Sequence, residues 1–298
     1  MAAVKKIDTV KSYNEEMGAE TRHPLVNVVN FDEIATYTQF SRQMGLYCIF
    51  LKNVKCGDMR YGCQPYDYEG GTLVFIAPGQ VYGIDDGGSK IKPSGMALVF
   101  HPDLIAGTGL AKKIREYTFF SYAVNEALHL SESERSTVVD CLNKITEEIK
   151  LISDRHSKTL IVSNIELLLN YCLRFYHRQF ITRTHVTGNI LSRFENLLDD
   201  YFSSGKSQQL GLPGVSYFAE QLHLSPNYFG DLIKKETGNK ATDFIQRKLI
   251  EEVKARICIP DSSISETAME LGFKYPQHLT RLFKQKVGLT PDAFRRLN

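Results

Sequence analysis

None of the six cysteines (Cys48, Cys56, Cys63, Cys141, Cys172 and Cys258) forms a CxxC pair. That excludes a zinc ribbon and gives no disulfide framework, so they are expected to be small, reduced, mostly buried side chains. No HxH pair occurs among the eight histidines, which argues against a histidine metal centre, and no cofactor is expected. No run approaches the roughly 18 apolar residues of a membrane span. The start (Met1, Lys5, Lys6, Ile7, Asp8) lacks the apolar core of a signal peptide, so the expected location is the cytoplasm, with no membrane partner. A formal net charge of +2 is too small to name a partner.

What is present fills 298 residues, more than one core usually serves, and the patterning changes along them. From about Leu46 to Phe100, short apolar runs such as Leu46 to Leu51 and Leu73 to Ile76 are broken by Gly70-Gly71, Pro78-Gly79 and Gly87-Gly88. This predicts an antiparallel β barrel or sandwich. After Leu130, Ser131 and Glu134 have capping-box spacing, and Val138, Leu142, Ile145, Ile149 and Ile152 step by four and three. A helix with one apolar stripe is expected. Ile161, Ile165, Leu168, Cys172 and Phe175 predict a second helix packed antiparallel on the first. The pair has two equal readings, packing on the β region or burial against a second subunit. The polar ITRTHVTG stretch ending at Gly188 is the expected linker. The resulting division is 20–125 for the β region, 126–182 helical, 183–189 linker, and 190–298 all-helical.

The 190–298 region contains a repeat. Ala219-Glu220-Gln221-Leu222 answers Ala268-Met269-Glu270-Leu271, and Phe229, Ile233, Lys234 and Gly238 answer Leu279, Phe283, Lys284 and Gly288, with the second turn one residue longer. Each copy has the plan of a helix-turn-helix unit. Ser225-Pro226 supplies an N-cap with proline at the first helical position of 226–237, and Gly238 a left-handed stop. Ser263 and Glu266 form a capping box in the second copy, and Gly288 closes it.

With Phe229, Leu232 and Ile233, and likewise Leu279, Leu282 and Phe283, turned to a core, the opposite faces follow from helical geometry. They are Asn227, Gly230, Asp231 and Lys234 in the first copy and Gln277, Thr280, Arg281 and Lys284 in the second. Gln pairs with adenine, Arg with guanine, and Thr packs on a thymine methyl. Gln277, Thr280 and Arg281 are therefore the candidate base contacts, with Asn227 and Asp231 their counterparts in the first unit; Asp231 would need a cytosine amino group. Ser225, Lys234, Lys235, Lys274 and Lys284 are the candidate phosphate contacts. Lys274, Arg281, Lys284, Lys286, Arg295 and Arg296 form a basic cluster against the single acid Asp292, which reads either as a phosphate-facing patch or as a solvated face. Ile245, Leu249, Val253 and Ile257 predict a spacer helix about 27 Å long, comparable with the roughly 34 Å between successive major-groove faces on one side of DNA.

These residues resemble the AraC family of transcription regulators, whose DNA-binding domain has the pattern LxLSxxYLxxxFKxxxG, a linker helix, then IxxxAxxxGFxxxxxFxRxFKxxxGxTPxxxR. Leu222 to Phe229, Ile264 to Phe273, Leu279 to Lys284 and Gly288 to Pro291 ahead of Arg295 carry the match, which covers Ser216 to Leu297. The departures are Ile233 for the usual Phe, Leu249 for the usual Arg, and Gly230-Asp231, which make the first unit an anchor more than a reader. A looser resemblance over residues 25–120 is to the cupin-like barrel of such regulators; Gly71 to Tyr82 looks like the segment that ends in PxxxH, with Tyr82 in place of the histidine. His101 reads as a satisfied histidine rather than a ligand. Tyr47, Phe50, Tyr61, Tyr66, Tyr68, Phe75 and Tyr82 are read as core before pocket.

The implied protein is a multi-domain α and β regulator: an antiparallel cupin-like barrel with flanking helices, and an all-α domain of two helix-turn-helix units joined by a linker helix. It would be a homodimer binding double-stranded promoter DNA, with a small-molecule effector of unassigned site and RNA polymerase as further partners, and no catalytic residue. The competing readings are a cupin-class enzyme fused to a DNA-binding domain, and a protein that meets partners through its helices. Activation and repression are both left open.

Overall fold

The computed structural model describes residues 5–34, 40–53, 71–84, 94–123, 126–152, 154–186, 190–259 and 262–297. The chain divides into two compact units, Met1–Gln179 and Phe180–Asn298.

In the first unit, β1 (Lys5–Ile7) and α1 (Val10–Met17) precede β2 (Val26–Asn30), a 3-10 turn at Phe31–Glu33, β3 (Phe40–Met44), β4 (Tyr47–Lys52), β5 (Thr72–Ile76), β6 (Val81–Ile84) and β7 (Gly95–Phe100). Two short helices, α2 (Pro102–Ile105) and α3 (Gly109–Lys113), lead to β8 (Leu128–His129), α4 (Glu132–Lys150) and α5 (Ser157–Val186). One sheet has the order β2-β7-β4-β5-β8, all antiparallel; the other is β1-β3-β6, with β1 parallel to β3. Among the described residues the two sheets stay open and one pairing is parallel, where the sequence predicts an all-antiparallel barrel or sandwich. Side chains do the sealing instead. Ile7 and Met44 from the smaller sheet join Phe50, Val74 and Ala97 from the larger in one apolar cluster, with Tyr13 and Met17 of α1.

The larger sheet is covered on its other face as well, which explains why its strands read as continuous apolar runs rather than alternating ones. Phe75 lies 4.4 Å from Phe119 and 6.1 Å from Tyr176 of α5 between ring centroids, and Tyr47 stacks on Phe100 at 5.0 Å. Of the aromatics singled out above, Phe50 and Phe75 are buried and Tyr47 is half-buried. Tyr61, Tyr66 and Tyr68, and the side chain of Tyr82, lie outside the described residues.

The capping box of α4 forms as expected: Ser131 Oγ accepts from Glu134 N–H, and Glu134 accepts from Ser131 N–H. Val138, Leu142, Ile145 and Ile149 are buried, but the helix stops at Lys150 and Ile152 is 96% exposed. The apolar stepping overshoots because nothing in it marks the stop. All five predicted stripe residues of α5 are buried. Arg178 near its C-terminal end donates twice to Glu134 near the start of α4, the opposed register expected of an antiparallel pair. The backbone of α5 stays helical to Val186, into the stretch read as linker. No glycine or proline interrupts it there; residues 187–189 lie outside the described residues.

The second unit is helical: α6 (Ile190–Ser203), α7 (Lys206–Leu210), α8 (Val215–Gln221), α9 (Pro226–Thr237), α10 (Ala241–Ile257), α11 (Ile264–Glu270), α12 (Pro276–Val287) and α13 (Pro291–Leu297) follow the C-terminal turn of α5. Phe194 is fully buried at the centre of an aromatic cluster, 5.2 Å from Phe218 and 5.1 Å from Phe229 between ring centroids. Phe180 packs edge-on against Tyr228 at 5.1 Å. Helix α10 is the spine, with Ala241, Ile245, Leu249, Val253 and Ile257 buried along one side. Leu249 is core, and so is Ile233 at 0% exposure, so these departures from the family pattern are apolar replacements that fit the packing.

Candidate nucleic-acid interface

Two helix-turn-helix units stand on this spine, α8 with α9 and α11 with α12. The first turn bends through His223, the sole non-glycine residue with positive φ (59°) among those described. Ser225 then caps α9, its Oγ accepting from Tyr228 N–H at 3.3 Å, and Pro226 occupies the first turn, where a missing N–H costs nothing. Gly238 and Gly288 close α9 and α12 with φ of 75° and 85°, the left-handed stop expected of a C-terminal glycine. Ser263 and Glu266 form the predicted capping box of α11.

The core faces are as expected: Phe229, Leu232 and Ile233 of α9 are buried, as are Leu279 and Phe283 of α12, with Leu282 half-buried. On the opposite faces, Asn227, Lys234 and Lys235 of α9 are exposed and Asp231 is half-buried; Gln277, Arg281 and Lys284 of α12 are exposed. Thr280 is half-buried and donates its hydroxyl to Pro276 O at 3.3 Å, a bond back to its own helix. Lys274 is exposed in the turn before α12, its Nζ 5.6 Å from the centroid of the Tyr275 ring. One surface of the second unit thus gathers a cation in the turn, a guanidinium and an amide on the first two turns of α12, and a second ammonium one turn later.

One member of the basic cluster does different work. Arg295 donates to Ile257 O at 2.7 Å and to Ser262 O at 2.8 Å, tying α13 to the end of α10. Charge counting along the sequence cannot tell such a guanidinium from one that faces solvent; Arg296 is exposed.

A junction that orients the second unit has only a faint sequence signal. Ser207 of α7 is fully buried and donates to Glu270 O at 2.7 Å; Tyr201 donates to Gly211 O at 3.0 Å. Gly272, φ 83°, lies so close beneath this segment that a Cβ there would run into Ser207 O and the carbonyl of Gly211. Arg256 of α10 completes the junction, reaching Phe202 O at 3.0 Å and Glu270 Oε2 at 3.1 Å. Lys248 pairs with Asp199 of α6 at 2.7 Å, and that hydrogen bond pushes its ammonium above the usual lysine range. The trace in the sequence is Gly272, whose place in the spaced pattern does not reveal what approaches it.

In the first unit, His101 caps α2, its Nδ1 accepting from Asp103 N–H at 3.2 Å. Among the described residues no cluster of three metal-ligating side chains occurs, and no helix is long and apolar enough to cross a membrane.

A family model described as a helix-turn-helix domain matches residues 218–297. The uncharacterized transcriptional regulatory protein YesN of Bacillus subtilis (strain 168) is 37% identical over 95 residues, 30% of this chain and 26% of that protein. The uncharacterized regulator YfiF of the same organism, of helix-turn-helix type, is 30% identical over 148 residues, 50% of this chain and 44% of the relative. The chain thus spans less than half the length of these relatives. Among solved structures, the C-terminal domain of the two-component response regulator yesN from Fusobacterium nucleatum is matched over 99% of its length and 36% of this chain, at 22% identity and a TM-score of 0.32.

Proposed function

Because residues 218–297 are an AraC-family helix-turn-helix domain, we propose that the whole chain is a DNA-binding transcriptional regulator, a protein that recognises promoter sequence rather than one that catalyses a reaction. The carrying observation is that α9 and α12 present polar, mostly exposed faces in two helix-turn-helix units joined by the half-buried helix α10. Gln277 and Arg281 read base edges. Thr280, its hydroxyl engaged within the helix, offers its methyl to a thymine. Lys274 and Lys284 meet phosphates on either side. In the first unit Ser225, Lys234 and Lys235 hold the backbone, while Asn227 and Asp231 make the weaker base contacts.

The first unit of the chain is proposed to be a cupin-like sensing module that binds a small-molecule effector. The chain acts as a homodimer in the cytoplasm, with RNA polymerase as a further partner. The dimer contact is assigned to α4 and α5, where Leu160 and Leu167 of α5 are 48% and 41% exposed seven residues apart, on one face of the helix. The functional organisation proposed is 20–125, 126–182 and 190–298, joined by 183–189, a segment that continues α5 as far as Val186.

The test is fluorescence anisotropy of the purified chain with DNA from upstream of its own gene and with random DNA of equal length. Specific binding predicts a preference for the former that survives at salt concentrations where the latter dissociates. Equal affinity at all salt concentrations refutes sequence-specific regulation.

A further inference from the structure

The first unit contains a polar groove of about 450 Å³ between β2 and α4, within the roughly 300–1,000 Å³ range of small-molecule sites. Its walls are prebuilt. Fully buried Asn14 accepts from Asn27 Nδ2 at 2.9 Å and donates to Thr21 Oγ1 at 2.9 Å, while Asn27 also donates to Glu20 O at 3.1 Å. This amide network fixes the loop from Gly18 to Arg22 over one side of the groove, where Arg22 is held by Glu20 through Nε and Nη2 at 2.8 Å.

The groove is also lined by polar and charged side chains that are exposed to solvent. Lys150 and Asn143 of α4, both exposed, line it, and neither has a hydrogen-bond or ion-pair partner among the described residues. Exposed Glu33 lines it too, one carboxylate oxygen accepting from Asn30 Nδ2 at 2.9 Å and the other without a partner among the described residues. Lys150 and Glu33 form no ion pair with each other, so a cation and an anion share one groove without touching. Ile34 and Met96 add an apolar patch to the lining. Four charges that sum to zero, Glu20, Glu33, Arg22 and Lys150, favour an occupant with both signs over one with a net charge.

We propose that this groove binds a zwitterion of the amino-acid class, a free aliphatic amino acid or a dipeptide. Its carboxylate lies toward Lys150, its ammonium toward Glu33, and its side chain on Ile34 and Met96. This deepens the reading of the first unit as a sensing module by naming a site and a ligand chemistry, and it does not depend on the DNA contacts.

The experiment is calorimetric titration of the full chain with L-leucine and glycyl-L-leucine, beside L-leucinamide, which lacks the carboxylate, and N-acetyl-L-leucine, which lacks the ammonium. At least one zwitterion should bind, and each singly charged analogue should be weaker by about tenfold or more. Lys150→Gln should weaken the zwitterion by about the same factor while leaving leucinamide unchanged, and Glu33→Gln should do the converse for the ammonium. The proposal is overturned by failure of both zwitterions to bind at millimolar concentration, by analogues that bind equally well, or by affinity indifferent to both substitutions. Anisotropy with promoter DNA, run on the same proteins without ligand, reads the DNA function separately. Both variants should retain it, so a failed titration with intact DNA binding removes this site and leaves the regulator reading standing.

Discussion

Gly272→Ala should destabilise the second helix-turn-helix unit without altering any residue on its exposed face. The new Cβ carries two penalties. At φ 83° an L side chain is held in the left-handed region, costing about 1–2 kcal/mol. The methyl also falls inside contact distance of Ser207 O and Gly211 O, and overpacking of that kind adds about 1–3 kcal/mol. Together they predict a loss of about 2–5 kcal/mol, a large share of the roughly 5–15 kcal/mol that holds an ordinary domain. Urea unfolding followed by far-ultraviolet circular dichroism and tyrosine fluorescence suits a chain with no tryptophan. With a slope of about 1–3 kcal/mol/M, a loss near 3 kcal/mol lowers the midpoint by about 1–3 M. The Met1–Gln179 unit has its own core, so its unfolding should be unmoved. A midpoint within about 0.3 M of wild type would refute the close approach of α7 to Gly272 and with it the junction.

Arg281→Ala should cost about 1–3 kcal/mol on the preferred DNA and relax selection at one position, whereas Lys284→Ala should weaken all sequences alike and reduce the salt slope by about 1; anisotropy across a salt series separates the two. Phe194→Ala should cost about 3–5 kcal/mol in the second unit, because the ring is fully buried against Phe218 and Phe229, and chemical denaturation measures it. Ser131→Ala should remove about 1 kcal/mol from the first unit through its capping box and leave DNA affinity unchanged. Burial, with Glu166 and Glu116 adding to it, pushes the Tyr117 phenol from 10.0 up to about 12. Because the folded value lies above the unfolded one, the stability it contributes is complete below pH 10 and is lost as the pH rises through about 12. Tyr117→Phe should remove that part of the alkaline loss in a pH series of thermal melts.

The all-helical unit was the more legible because its determinants are local. Ser225-Pro226, Gly238, Gly288 and the Ser263–Glu266 pair each act within one turn, and apolar spacing in α9 and α12 assigns faces directly. The β unit was legible only as a set of strands. With both faces of the larger sheet covered, the apolar runs around Leu51 and Phe75 carry no alternation, so nothing in them says which strands are neighbours or whether the edges meet. The parallel pairing of β1 with β3 brings Lys5 beside Arg42, far beyond any local signal. The end of α4 is hidden for a related reason, since Ile152 keeps the helical step beyond the last residue of the helix, Lys150. The positioning roles of Arg295 and Ser207 are not legible in the sequence because their partners are backbone carbonyls distant along the chain, and a carbonyl leaves no mark in residue identity.

Helix α10 has a consequence for how affinity arises. Two binding modules joined by a flexible tether tolerate a range of target separations, because the tether sets an effective concentration that varies gently with distance. The two modules here are joined by a continuous helix of 17 residues that is buried along one side, about 25 Å long. That arrangement makes effective concentration steep: high where the spacing of the two groove sites fits, and near zero where it does not. On the proposed reading, DNA would thereby be selected by the phase of its helical repeat as well as by its bases. An operator with every contacted base intact but one base pair inserted between the two sites then loses one module's contribution entirely.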